Sequence, residues 1–239
     1  MALTEKIVDY PDADTACKGF LAWDDARPGP LPAVLISHAW GGRQEVFNQK
    51  ARDLARLGYA VFALDMYGEG RTGTTVEECS ALMQPLVADR ALLSRRINAA
   101  LAAVGGLPQV DSRRIAAMGY CFGGLCVLDL ARSGAKVRGV VSIHGLLKAP
   151  AGVARAPIVA KVLVLHGHDD PMAPVEDVIG FEKEMTAANV DWQLHAYGRT
   201  KHAFTDPHAN NPDLGLLYNP DAERRAYVSL LNFLEEVLR

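Results

Sequence analysis

Cys121, His202 and an aspartate at position 169 or 170 are the residues whose types and spacing could do chemistry together. A thiol attacks a carbonyl carbon once a histidine takes its proton, and the histidine needs an acid to orient it. Cys121 lies in Gly119-Tyr120-Cys121-Phe122-Gly123-Gly124, with an apolar run before it and an apolar, helix-patterned run after it. This is the elbow pattern G-x-S-x-G with Cys in place of Ser. A residue squeezed between strand and helix sits in a strained turn, and its neighbours two positions away must be small because the two elements crowd there. Gly119 and Gly123 meet that need. The turn lifts the side chain to a helix N-terminus, where unpaired amides and the positive dipole end favour thiolate over thiol. The amide of Phe122 can donate to an oxyanion. The competing reading is a buried structural cysteine, which suits Cys126 on the following helix.

In enzymes built on this elbow the chain order is nucleophile, acid, histidine. Seven histidines compete for the last role. The run 162–165 leads into His166-Gly167-His168-Asp169-Asp170, so both aspartates fall at a strand's carboxyl end; either could instead cap the helix that follows. His202 lies in the loop beyond the next apolar run, whereas His195 falls within that run and His208 in a polar, Asn/Pro-rich stretch. Order and elbow together point to a hydrolase.

The elements that must hold these residues alternate. Apolar runs at 32–37, 59–64, 114–118, 137–143, 161–165 and 191–196 read as strands, and helical patterns at 46–57, 86–104, 123–133, 175–188 and 220–238 as helices. Pro85 stands at the start of the 86–104 pattern and Gly105-Gly106 at its end. Two segments, 7–9 and 19–23, read as a strand pair at one edge. The rhythm predicts an α/β chain: a mostly parallel sheet flanked by helices on both faces, as one domain over 1–239. Ligands bind such sheets beyond the carboxyl ends of the strands. By that rule His38, Trp40, Tyr67, Tyr120 and His144 are candidate pocket walls, each with core packing as its alternative.

Composition narrows the function. The chain has 239 residues, 25 Lys+Arg against 28 Asp+Glu and a net charge of −3, without a basic run, which argues against nucleic acid or a membrane surface as a partner. No apolar stretch approaches a membrane span, and Glu5, Lys6 and Asp9 interrupt the segment where a leader would be apolar. Four cysteines without a C-x-x-C pair suggest neither a disulfide scaffold nor a metal site. The expectation is a cytoplasmic protein with reduced thiols, no metal, no cofactor, and a monomeric or homodimeric state. Gly68-Glu69-Gly70-Arg71-Thr72-Gly73 matches a dinucleotide fingerprint letter for letter, but the motif continues as a polar loop where a helix should begin, and Asp89 sits in a helical pattern rather than at a strand end. It reads as a surface loop.

At Val34 to Gly41, Gly58 to Tyr67, Met118 to Gly124, His166 to Pro174 and Tyr197 to Phe204 the chain resembles the dienelactone hydrolase family, of α/β-hydrolase fold. The resemblance implies a single-domain α/β-hydrolase acting on a small ester or lactone, with Cys121, Asp170 and His202 as its triad. It selects Asp170, the D of G-x-x-D, over Asp169. It also implies a second oxyanion donor, the backbone amide of Ala39. Two positions depart from the family's founding lactonases: His38 replaces a Glu that helps control the resting thiol, and Asp206 replaces an Arg that holds the substrate carboxylate. An anionic dienelactone is therefore not the expected substrate, unless Arg71 or Arg199 compensates. Two other readings are a thioesterase or other acyl hydrolase of the same fold, and a non-catalytic ligand-binding relative. A redox-sensing thiol is a third, for which Cys126 is badly placed as a resolving partner.

Overall fold

The computed structural model describes residues 3–151 and 156–239; Met1 and Ala2, the start of the segment read for a leader, lie outside them. Among the described residues eight strands form one sheet in the order β1-β2-β4-β3-β5-β6-β7-β8. An antiparallel hairpin, β1 (Thr4–Asp12) and β2 (Thr15–Trp23), occupies one edge. It meets β4 (Ala60–Ala63) antiparallel. From there β3 (Leu31–Ser37), β5 (Val110–Tyr120), β6 (Gly139–Ile143), β7 (Lys161–Gly167) and β8 (Trp192–Tyr197) continue in parallel.

Strand alternation divides the interior into two cores. Val34, Ile36, Val61 and Ala63 face α1 (Glu45–Arg56) and α6 (Pro220–Leu238), packing with Phe47, Leu54, Leu230 and Phe233. Leu35, Phe62 and Ala117 face the other way, toward α2 (Val76–Ala88), α3 (Arg90–Gly105), α4 (Phe122–Arg132) and α5 (Val175–Ala187). A strand covered on both faces needs apolar residues at successive positions, which is why 32–37 carries an unbroken run.

The structure corrects one element. The 86–104 pattern belongs to two helices that meet at Asp89, with Pro85 in the last turn of α2 rather than at a helix start. Asp89 caps α3, its carboxylate accepting from the Leu92 amide at 2.9 Å. Thr75 and Glu78 form a reciprocal capping box that starts α2. That box lies in the sequence but follows a Gly/Thr-rich stretch that reads as loop. Among the described residues no helix is long and apolar enough to cross a membrane.

Candidate active site

β3 and β5 are neighbours at the middle of the sheet, but the chain leaves them toward opposite faces, into α1 and α4 respectively. Such a divergence opens a crevice beyond the strands' carboxyl ends. Cys121 stands there, between β5 and α4, half-buried, with φ 53° and ψ −116°. A side chain rarely adopts positive φ, and the neighbouring glycines show what enforces it. A Cβ on Gly119 would stand 2.1 Å from the Gly123 carbonyl oxygen, and one on Gly123 would stand 2.2 Å from that of Ser37. The elbow closes only with glycine at both positions.

Asp170 follows β7 and is buried. Its Oδ1 accepts from the Met172 amide at 2.8 Å, and its Oδ2 lies 2.7 Å from Nδ1 of His202. Asp169 is exposed, with its amide turned to the Thr200 carbonyl. His202 follows β8 in a loop pinned by a small hairpin, β9 (Asn210–Asn211) and β10 (Leu216–Leu217): its N–H donates to the Gly215 carbonyl, and the Leu217 N–H donates to its own carbonyl. With Nδ1 committed to Asp170, Nε2 is buried without a hydrogen-bond partner among the described residues, and the ring's charge is coupled to that of the Cys121 thiol.

The charges of this group sustain one another. Burial alone would lower the His202 pKa, but the Cys121 sulfur and the Asp170 carboxylate outweigh it and push the ring up to about 10. Burial would raise the Cys121 thiol, yet His202 and the amides of Phe122 and Trp40 hold it below the usual thiol value. Each group thus favours the charged form of the other, a shift toward thiolate and imidazolium. From the turn after β3, the amide that helps hold the thiol down is that of Trp40, one residue beyond Ala39.

The remaining candidates behave as supports more than as pocket walls. His38 is fully buried; its Nε2 accepts from the Met66 amide at 3.1 Å and its Nδ1 lies 2.7 Å from the Ala39 carbonyl. Burial holds its pKa down to about 4, so it is a neutral ring fastening the turn and not a second acid in the cleft. Tyr67 stacks on Phe122 at 5.7 Å and donates its hydroxyl to the Trp40 carbonyl at 2.7 Å. Tyr120 points into the α1–α6 core, under the Lys50 ammonium, because the residue before the elbow faces away from the cleft. His144 is buried behind the elbow. Arg71 is exposed, but its guanidinium donates to the Tyr67 and Gly68 carbonyls of its own loop. Arg199 and Asp206 are exposed.

Asp65 explains the misleading glycine motif. Its buried carboxylate accepts from the amides of Tyr67, Gly68 and Gly70 and, across the sheet edge, of Lys18, at 2.8 to 3.0 Å. The amides that would cradle a phosphate already hold a carboxylate. Sequence reasoning missed Asp65, although an aspartate directly after a buried strand and ahead of two glycines was a usable sign.

The dienelactone hydrolase family model matches residues 17–238. The chain belongs to the dienelactone hydrolase family. A dienelactone-hydrolase-like promiscuous phosphotriesterase from metagenomic libraries is 37% identical, with full coverage of both chains and a TM-score of 0.93. A candidate carboxymethylenebutenolidase of Yersinia pestis is 25% identical over 95% of this chain and 86% of its own. An uncharacterised protein of Caenorhabditis elegans is 37% identical over 60% of this chain and 93% of its own. A Klebsiella pneumoniae relative at 20% identity and TM-score 0.82 shares the α/β-hydrolase fold. As a dienelactone hydrolase family member, the chain is a hydrolase of small esters or lactones.

Proposed function

We propose that the chain hydrolyses a small, uncharged ester or lactone by two-step acyl transfer through Cys121, His202 and Asp170. The observation that carries this reading is the 2.7 Å contact from Asp170 Oδ2 to His202 Nδ1, with the other edge of that buried ring, Nε2, unpartnered and electrostatically coupled to the thiol on the strained elbow. The Cys121 thiolate attacks the carbonyl carbon, and the carbonyl π-electrons move to oxygen. Amides of Phe122 and of the 39–40 turn receive that oxyanion, each donor lowering the barrier by roughly 3 kcal/mol. When the tetrahedral species collapses, the C–O bond breaks and His202 Nε2 gives its proton to the departing alkoxide, which in a lactone stays on the acyl chain. Water then enters, loses a proton to His202, and cleaves the thioester to acid and thiolate.

A neutral substrate follows from the lack of a family-like arginine for a carboxylate. Asp206 occupies the position of the family's carboxylate-holding arginine, and Arg71 is turned onto its own loop. Phosphotriester hydrolysis is the second reading, because the relative of that activity matches the full length of the chain at 37% identity. Attack on phosphorus would use the same thiolate and amides. The test is a panel of neutral lactones, aryl esters, thioesters and an aryl phosphotriester, run on wild type and Cys121→Ala. Turnover of lactone or ester that vanishes in the variant supports the proposal; full activity in the variant removes it. Turnover of the phosphotriester alone favours the second reading, and binding of ligands without turnover makes the chain a non-catalytic relative.

A further inference from the structure

We propose that His144, which acyl transfer by Cys121 and His202 does not itself employ, is a positioning residue that fixes the nucleophile and its base relative to each other through the two edges of one neutral imidazole. His144 directly follows β6 and is buried, with φ 39°. Its own amide is anchored to the Leu165 carbonyl of β7 at 2.8 Å. Its Nδ1 lies 3.2 Å from the backbone nitrogen of Cys121 and is the acceptor of that N–H, which it shares with the Ile143 carbonyl. A nitrogen that accepts carries no proton, so the proton is on Nε2. Nε2 lies 2.9 Å from Oγ1 of Thr205, three residues past His202 in the same loop. The ring also packs edge-on against His202 at 5.0 Å and Phe204 at 5.3 Å between centroids. One rigid ring therefore spans from the elbow backbone to the loop of the base.

The chemistry explains the residue type. The bridge needs an acceptor on one edge and a donor on the other, at fixed separation, and only neutral imidazole offers both in a rigid ring. An imidazolium would turn a donor onto the Cys121 N–H and break the bridge. The titratable and charged groups around the ring are Cys121 and Tyr120 from β5 and the elbow, His202 from its loop, and Lys50 from α1. Burial and the positive charges of His202 and Lys50 all disfavour a proton on His144, holding its pKa well below the usual imidazole value. Strain supports the same reading. Of seven non-glycine residues at positive φ among the described residues, three, Cys121, His144 and Ala203, lie at the site. Such conformations persist where surrounding contacts hold them, and His144 links the segments that contain the other two.

The inference rests on the acyl-transfer reading, and the experiment separates the two. Single-turnover acylation by an aryl ester and the pH profile of Cys121 alkylation by iodoacetamide are measured for wild type, His144→Phe, His144→Asn, Thr205→Val and Cys121→Ala, with thermal melting as a folding control. His144→Phe keeps a ring but no polar edge; we expect acylation to fall about 10- to 100-fold, as for a misplacement of about 1 Å, with KM changed less than about threefold. We also expect its alkylation midpoint to move upward, because the imidazolium that stabilises the thiolate is less well aimed. His144→Asn accepts positive φ and offers an acceptor to the Cys121 N–H, so part of the acylation rate returns. Thr205→Val frees only the far edge and gives a smaller loss. If His144→Phe does not fold, His144→Asn and Thr205→Val decide: wild-type acylation and alkylation in both overturn the inference. Wild-type behaviour in a folded His144→Phe, with Cys121→Ala inactive, overturns the inference and leaves acyl transfer standing. An active Cys121→Ala overturns acyl transfer itself.

Discussion

Among the four cysteines, one residue is set apart by its surroundings. Cys17, Cys79 and Cys126 are buried, and burial pushes each thiol up, Cys17 to about 11. Cys121 is half-buried and held down by His202 and two amides. Iodoacetamide is therefore expected to label Cys121 far faster than the other three and well below about pH 8, the rate falling only as acid protonates the thiolate. Equal labelling of all four at high pH alone would contradict the shift toward thiolate and imidazolium. In the proposed mechanism the partner carboxylate, Asp170, acts through orientation. Asp170→Asn keeps the shape but turns an amide onto His202 Nδ1 and destabilises its protonated form; kcat is expected to fall about 10³- to 10⁴-fold with the fold intact. Steady-state kinetics with circular dichroism checks both halves of that statement.

At the scale of the element, the elbow is the least tolerant part of the chain. In Gly123→Ala the new methyl must displace the Ser37 backbone, at 2.2 Å, so strand β3 and helix α4 have to separate. The expected loss is roughly 3 kcal/mol or more, seen as a lowered denaturant midpoint, together with loss of activity, since the Cys121 turn opens. Both glycines were legible from spacing alone because the constraint is local: two elements joined by one residue leave no volume for a side chain. The break between α2 and α3 was not legible. Residues 86–104 keep an apolar helical pattern through Asp89, which hides the cap that Asp89 supplies to α3 and with it the break between two helices that both pack on the sheet. The Gly68–Gly73 loop was placed correctly as a loop, yet what shapes it, the Asp65 carboxylate, acts across residues from two elements.

At the scale of the molecule, three neutral imidazoles sit inside a sheet covered on both faces. His38, His144 and His166 are buried, and burial first of all lowers each pKa, His38 to about 4. A depressed histidine pKa means that the unfolded chain takes up the proton first, so stability is full above about 6.5 and is lost as pH falls toward the folded value. His38 alone accounts for on the order of 3 kcal/mol across that interval. His202 has the opposite sign: its raised value stabilises the fold below about 6.5 and fades as pH rises toward about 10. Cys121, whose thiol is held down, releases a proton where His202 takes one up, so the two oppose each other in the slope. Thermal melts between about pH 6.5 and 4 are expected to show a steep fall in Tm, shallower in His38→Gln, which bonds without titrating. An unchanged slope in that variant would show that His38 is not a source of the acid lability.

The sequence by itself determined most of the order of the elements, the elbow, and the strand ends at which Cys121, His202 and one of Asp169 and Asp170 stand, while the family resemblance chose Asp170. These follow from periodicity, local steric need and chain order, all of which are written along one dimension. The tertiary structure decided what surrounds them. Tyr120 and His38 were possible pocket walls by position, but strand alternation turns one into the α1–α6 core and a pair of backbone hydrogen bonds fastens the other out of the cleft. His144 and Thr205 stand far apart in the chain and meet across one ring. Which amide helps hold the thiol down, and whether a buried histidine is charged, depends on distances in three dimensions and on the loss of water around each group, and no spacing of residue types encodes either.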